Sequence, residues 1–117
     1  MNIMVADDDT LIVDLLTDYL ESAGHKVVHA YNSKDIEEKA ASQRPDLVFL
    51  DLHMPGIKEA FENTVKIPDA IKNAPIVLVT GTSDQKLAEL GLAKDFAVLK
   101  KPIEFEKLDA ILQKLQK

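Results

Sequence analysis

The stretch PDLVFLDLHMPG, residues 45–56, decides the fold, because it places an uninterrupted apolar run directly before an aspartate and a turn. Residues 47–50 read Leu-Val-Phe-Leu and contain no polar side chain. An apolar run of this length without alternation is typical of a strand that is covered on both faces, as in a parallel sheet. We therefore predict a buried parallel strand at 47–50 that ends at Asp51.

Four more short apolar runs predict the other strands, and they lie at 3–6, 27–28, 76–79 and 96–99. Segments with helical spacing of apolar residues separate these runs. The first helix is expected between a cap at Asp9 or Thr10 and a stop at Gly24. Its expected apolar stripe consists of Leu11, Ile12, Leu15, Leu16, Tyr19 and Leu20.

The remaining helices are predicted from their caps and spacing. The second begins at Asn32 or Ser33 and ends before Arg44, and the last covers 105–115. A third helix is expected over 58–73, although Pro68 should break it. A short fourth helix is expected after a cap at Ser83 or Asp84 and carries Leu87 and Leu90.

Strand and helix thus alternate five times, which predicts an α/β fold with a parallel sheet and helices on both faces. We expect the flavodoxin-like doubly wound arrangement, (βα)5, with strand order 2-1-3-4-5. There is no linker, repeat or low-complexity segment, so residues 1–117 are expected to form a single domain.

Composition excludes several classes of function. The chain has 117 residues, with 14 Lys plus Arg against 20 Asp plus Glu, a net charge of −6. Its single arginine, Arg44, and its acidity disfavour direct nucleic-acid binding. The absence of cysteine excludes thiol catalysis, thiolate metal sites and disulfides. No apolar run reaches membrane-spanning length and the start has no signal-peptide pattern, so we expect a cytoplasmic protein without membrane insertion.

The chemistry is expected at the carboxyl ends of the strands, because ligands of open parallel sheets bind there, where the strand order reverses. Asp7 and Asp8 follow the first predicted strand, Asp51 the third, Thr80 the fourth and Lys101 the fifth. With strand order 2-1-3-4-5, the first three carboxylates converge. Their mutual repulsion would be relieved by a hard divalent cation, Mg²⁺ or Mn²⁺.

A metal ion beside a free carboxylate, a hydroxyl and a lysine is an arrangement that can handle a phosphoryl group. The cation and the lysine neutralise phosphoryl oxygens, the hydroxyl donates a hydrogen bond, and one carboxylate can attack phosphorus.

The sequence resembles the receiver domain of two-component response regulators, and the resemblance covers essentially the whole chain. Four motifs carry it, each at a predicted strand end. They are IMVADDD at 3–9, PDLVFLDLHMPG at 45–56, PIVLVTG at 75–81, and Lys101-Pro102.

The resemblance implies a stand-alone phosphorylation switch and not a turnover enzyme. Asp51 would accept a phosphoryl group from a phosphohistidine of a histidine kinase or phosphotransfer protein. Thr80 and Lys101 would contact the phosphoryl oxygens. Output would be altered binding of a downstream protein target.

The resemblance also implies the metal ligands. Asp8 and Asp51 would bind Mg²⁺, or Mn²⁺, directly. Asp7 would mostly hold metal-bound water, and the backbone carbonyl of His53 would complete the shell. The ring of His53 is expected to overhang the phosphoryl group instead of binding metal.

The sequence departs from the family at its fifth strand. The family usually has an aromatic residue three positions before the lysine, and here that residue is Val98, with Phe96 two positions further upstream. Two lysines stand side by side. Adjacency to Pro102 favours Lys101 as the site residue, and Lys100 is expected to be solvated.

Two alternatives remain open at this stage. One is a Mg²⁺-dependent phosphohydrolase of the haloacid dehalogenase type, with Asp7 as nucleophile and Asp9, Thr80 and Lys101 in supporting roles. The sequence DDDTL at 7–11 lacks the full DxDGT motif of that family. The other is a receiver-like binding module that is never phosphorylated, which the Val98 departure leaves possible.

Overall fold

A computed structural model describes residues 1–54, 57, 67–92 and 96–115. The strands are β1 Asn2–Ala6, β2 Lys26–Ala30, β3 Leu47–Asp51, β4 Ile76–Thr80 and β5 Ala97–Lys100. The helices of these described segments are α1 Thr10–Ser22, α2 Ser33–Ser42, α3 Asp84–Glu89 and α4 Phe105–Leu115, with a 3-10 turn at Asp69–Ile71.

The five strands form one parallel sheet in the order β2-β1-β3-β4-β5. The predicted α/β class and the flavodoxin-like strand order are therefore confirmed. In register, Ala6 of β1 lies opposite Leu50 of β3, and Asp51 lies opposite Val79 of β4. This register brings the residues that follow β1 and β3 side by side at one edge.

The helix caps agree with the residue types at their positions. Asp9, Asn32 and Ser83 each accept a hydrogen bond from a backbone N–H of the first turn of their helix, which satisfies a donor that has no intrahelical partner. Gly24 follows α1 with a φ of 93°, a left-handed conformation that glycine adopts without strain.

Two apolar clusters cover the two faces of the sheet. One contains Met4, Val48 and Leu78 under α2 and α3, and the other contains Val5, Phe49 and Val77 under α1 and α4. Alternate residues of each strand thus enter different clusters, which explains why the strands read as continuous apolar runs.

The predicted apolar stripe of α1 needs correction. Leu11 is 77% exposed and Leu15 is 40% exposed, whereas the buried residues of α1 are Val13, Leu16, Thr17 and Leu20. The apolar positions of this helix extend over more than half of its circumference, so a sheet that contacts one face cannot cover them all. The buried face is centred on Val13 and Leu16, at positions i and i+3.

Other boundaries also differ from the prediction: β1 and β2 begin one residue earlier than expected, β2 extends to Ala30, and β4 extends to Thr80. β5 begins at Ala97, one residue later than expected, and includes Lys100. The expected third helix falls mostly at 58–66, outside the described residues. In its described part, after Pro68, the structure has only the 3-10 turn. Within the described segments, no helix combines the length and the apolar character that crossing a membrane requires.

Candidate functional site

The structure brings the predicted site residues together at the carboxyl edge of the sheet. Asp7 directly follows β1, Asp51 and Thr80 end β3 and β4, and Lys101 directly follows β5. Backbone bonds fix two of these positions: Asp7 N donates to Ala30 O at 3.0 Å, and Lys101 N donates to Thr80 O at 2.9 Å.

Three carboxylates form the acidic part of the site. One oxygen from each of Asp7, Asp8 and Asp51 lies within 4.8 Å of the other two. Asp7 and Asp51 are 2% and 4% exposed, whereas Asp8 is exposed. Asp7 Oδ1 accepts a hydrogen bond from Asp9 N at 2.9 Å. Within the described part of the chain, no donor meets the buried Asp7 Oδ2 with hydrogen-bond geometry, but the Lys101 ammonium forms an ion pair with it at 3.2 Å. A hard cation with oxygen ligands fits this donor set.

The acidic cluster perturbs Asp51. Burial, and next the negative charge of Asp7, raise the pKa of Asp51 from 3.8 to about 7. The hydrogen bond from His53 N to Asp51 Oδ1, 3.2 Å, and the ammonium of Lys101 act in the opposite direction. A bound cation would also favour the ionised carboxylate.

The two adjacent lysines point to different places. Lys101 Nζ lies 3.2 Å from Asp7 Oδ2 and 3.7 Å from Asp51 Oδ1, so its charge faces the buried carboxylates. Lys100 Nζ instead donates to the carbonyl oxygen of Thr82 and lies 3.4 Å from Asp84 Oδ1. The expectation that Lys100 is simply solvated is wrong, because its ammonium binds the loop before α3.

Thr80 is connected to His53 through Thr82. The buried Thr80 hydroxyl donates to Thr82 Oγ1 at 2.8 Å and accepts from Thr82 N at 3.0 Å. Thr82 Oγ1 in turn lies 2.9 Å from Nε2 of His53. The His53 ring is exposed and contacts this hydroxyl at the rim of the acidic cluster.

The sequence analysis did not identify Thr82 as a site residue, and it assigned Lys100 to solvent. Both stand within two residues of a strand end, as Asp7 and Thr80 do, so the same positional signal was present. What the sequence lacks is the path of the 81–83 loop, which turns the Thr82 hydroxyl back towards Thr80.

With this geometry in view, comparison with known proteins identifies the family. A family model of the response regulator receiver domain matches residues 3–113. The chain belongs to this family. The haloacid dehalogenase alternative finds no support in the comparisons.

Relatives and solved structures agree with the assignment. Protein PilH of Pseudomonas aeruginosa is 33% identical over 109 residues, which cover 91% of this chain and 89% of PilH. The crystal structure of the chemotaxis protein CheY4 of Vibrio cholerae superposes with a TM-score of 0.77 at 26% identity, covering 97% of both chains.

Longer relatives also match. The transcriptional regulatory protein CrdR of Helicobacter pylori is 28% identical over 121 residues, which cover 96% of this chain but 53% of CrdR. The chain therefore spans about half the length of this relative. Receiver domains are signalling switches that generally depend on Mg²⁺ and interact with histidine kinases or phosphotransfer proteins and with downstream targets.

Proposed function

We propose that this receiver domain is switched by phosphorylation of Asp51. The observation that carries the proposal is a buried carboxylate, held beside two further carboxylates and an ammonium, at the edge where the strand order reverses. A buried and weakly solvated carboxylate is a competent nucleophile once it is ionised.

In the proposed reaction, an ionised oxygen of Asp51 attacks the phosphorus of a donor phosphohistidine. The phosphorus–nitrogen bond breaks, and its electron pair returns to the imidazole. Lys101, 3.7 Å from Asp51 Oδ1, is near enough to pair with a phosphoryl oxygen after transfer. The Thr80 hydroxyl would donate a hydrogen bond to another phosphoryl oxygen.

Asp7, Asp8, Asp51 and the carbonyl of His53 would hold Mg²⁺, or Mn²⁺. When bound, this ion neutralises negative charge on the phosphoryl oxygens. The all-oxygen donor set supports this assignment, because one oxygen from each of Asp7, Asp8 and Asp51 lies within 4.8 Å of the other two.

We propose a histidine kinase or phosphotransfer protein as donor and a downstream protein as target, in the cytoplasm. The net charge of −6 supports a protein target over nucleic acid. We further propose that residues 1–117 act as one receiver domain, and that binding, not turnover of a small substrate, is the output.

The test is modification by acetyl phosphate with Mg²⁺, followed by mass spectrometry. Wild type should gain one phosphoryl group at Asp51, and Asp51→Asn should gain none, because an amide oxygen is not a comparable nucleophile. Asp9→Asn is the matched control, because Asp9 caps α1 outside the three-carboxylate cluster, and it should be modified at the wild-type rate.

Each other outcome has a definite meaning. Phosphate mapped to Asp7 would support the dehalogenase-type chemistry. Wild type that accepts no phosphoryl group under conditions where Mg²⁺ binds would support a receiver-like module that is never phosphorylated.

A further inference from the structure

Thr82 holds the hydroxyl of Thr80 from two directions. Thr80 Oγ1 donates its proton to Thr82 Oγ1 at 2.8 Å and accepts the Thr82 backbone N–H at 3.0 Å. The Thr80 side chain is fully buried, so water does not readily replace these partners. Both bonds lie within normal hydrogen-bond distances.

Thr82 is itself tied to the rest of the site. Its hydroxyl lies 2.9 Å from Nε2 of His53, and its carbonyl oxygen accepts from the Lys100 ammonium. The backbone N–H of His53 donates to Asp51 Oδ1. A continuous set of contacts therefore leads from the Thr80 hydroxyl, through Thr82 and His53, to the Asp51 carboxylate.

A threonine hydroxyl has a single proton to donate. In this structure Thr82 receives the proton of Thr80, whereas the proposed phosphorylated form requires Thr80 to donate to a phosphoryl oxygen. The two bonds compete for one proton and cannot coexist.

We propose that Thr82 is a positioning residue whose hydroxyl competes with the phosphoryl group for the proton of Thr80, and so weakens binding of the phosphoryl group in the resting conformation. This inference rests on the proposed function of Asp51. It also predicts that phosphorylation breaks the hydrogen bond from the Thr80 hydroxyl to Thr82 Oγ1.

Thr82→Val separates the hydroxyl from the shape of the side chain. The variant keeps the branched volume but offers no acceptor, so in the unmodified protein the buried Thr80 proton is left without its partner. In the variant, Thr82 no longer competes with a phosphoryl oxygen for the Thr80 proton. The unmodified protein also contains a buried donor without an acceptor, and both effects favour the phosphoryl-bound form. We expect a phosphoryl analogue to bind about 3- to 10-fold more tightly, the range that one neutral hydrogen bond supports.

The experiment measures the Kd of beryllium fluoride, a phosphoryl analogue, by calorimetry at fixed Mg²⁺ concentration. Thr82→Val should lower the Kd, and Thr82→Ser, which restores a hydroxyl, should return it towards wild type. Thr82→Ala gives a second hydroxyl-free variant if the valine disturbs the loop, and circular dichroism checks that each variant is folded.

A double-mutant cycle tests whether Thr82 acts through Thr80. In a Thr80→Val background there is no proton to compete for, so adding Thr82→Val should leave the Kd unchanged. An equal effect of Thr82→Val in both backgrounds would show a merely structural role and overturn the inference.

The failure of the inference differs from the failure of the proposed function. If wild type binds the analogue and neither hydroxyl-free Thr82 variant changes its Kd, only the role of Thr82 is wrong. If Asp51→Asn binds the analogue as well as wild type, the phosphoacceptor is not Asp51 and both are wrong.

Discussion

At the scale of single residues, Asp51 meets two opposed requirements. Burial shields its carboxylate from competing water, but burial together with the charge of Asp7 raises its pKa to about 7. At neutral pH the carboxyl is therefore partly protonated unless a positive charge favours ionisation. The ammonium of Lys101 already lowers this pKa, and the proposed cation would lower it further.

This conflict predicts a pH-dependent stability of the protein in EDTA. The pKa of Asp51 is raised in the folded state, so its contribution to stability is fully present below pH 3.8 and is lost as the pH rises through about 7. Asp51→Asn has no such titration. Urea unfolding between pH 4.5 and 8 should show wild type losing stability relative to Asp51→Asn, by at most about 3 kcal/mol.

The comparison of the two proteins removes the titration of the carboxyl groups that do not interact with Asp51, which the two proteins share. A difference in unfolding free energy that stays constant from pH 4.5 to 8 would contradict the raised pKa. So would a wild type that gains stability relative to Asp51→Asn over that interval.

The two adjacent lysines predict different variant phenotypes. Lys101→Ala removes the ammonium that faces Asp7 and Asp51, so phosphorylation by acetyl phosphate should slow by about 10-fold or more, the scale of one charge-assisted contact. Mg²⁺ affinity should change little, since lysine is not a ligand. Lys100→Ala is the matched control and should leave the phosphorylation rate within about 3-fold of wild type. A larger loss in Lys100→Ala than in Lys101→Ala would contradict this assignment.

Whether the contacts of these side chains can be predicted from the sequence depends on their position in the fold. Asp7, Asp51, Thr80 and Lys101 occupy strand ends, and the end of a buried strand fixes where a residue lies in a parallel sheet. The position of the Thr82 carbonyl that Lys100 binds and the return of the Thr82 hydroxyl towards Thr80 depend on the dihedral angles of the 81–83 loop. No spacing rule encodes those angles, so these two contacts could not be predicted.

At the scale of elements, the helices differ in how firmly they are held. α1 buries Val13, Leu16 and Leu20 in one apolar cluster, whereas α3 has six residues and buries only Leu87. Elements with little buried apolar surface rearrange at low cost in free energy. α3 also follows the loop that contains Thr82, so it is the element best placed to respond to Thr80.

Val98 gives a specific expectation for signalling. Valine is stiff at χ1 and has no ring to move into space vacated by Thr80. Amide hydrogen exchange on phosphorylation should therefore change most between Thr80 and Leu92 and little at Val98. Thr80→Ala should keep Asp51 phosphorylation but remove most of this change.

The control is the same exchange measurement on Asp51→Asn with acetyl phosphate, which should show no change. Exchange changes that concentrate in α2, or that are absent in phosphorylated wild type, would exclude the α3 region as the output surface. The receiver-like binding module would then be the better interpretation.

For the helices, too, some features could be predicted from the sequence and others could not. Caps such as Asp9 and Ser83 act through their own side chain on the next turn, so they were predictable locally. The exposed side of α1 could not be predicted, because it depends on which part of a wide apolar surface the sheet covers. Leu11 and Leu15 have the right spacing for burial and still face solvent.

At the scale of the whole molecule, one sheet separates two apolar clusters and supports the site at its edge. Strands β1, β3 and β4 contribute alternate residues to both clusters, so neither cluster can be lost while the other remains intact. Such a small domain is expected to unfold in one cooperative transition. A ligand that binds only the folded site should therefore stabilise the entire chain.

The effect of Mg²⁺ on thermal unfolding measures this coupling between ligand binding and stability. At pH 8, a concentration of about 100 times the Kd should stabilise the protein by about 2.7 kcal/mol and raise its Tm by on the order of 10 °C. At pH 5.5 the rise should be smaller, because the raised pKa of Asp51 makes the cation compete with a proton.

Asp8→Asn should lose most of the rise in Tm, because it removes an exposed ligand without opening a cavity in either cluster. Asp9→Asn is the control and should keep the rise. A rise of equal size in Asp8→Asn and wild type would show that the cation binds elsewhere on this acidic chain.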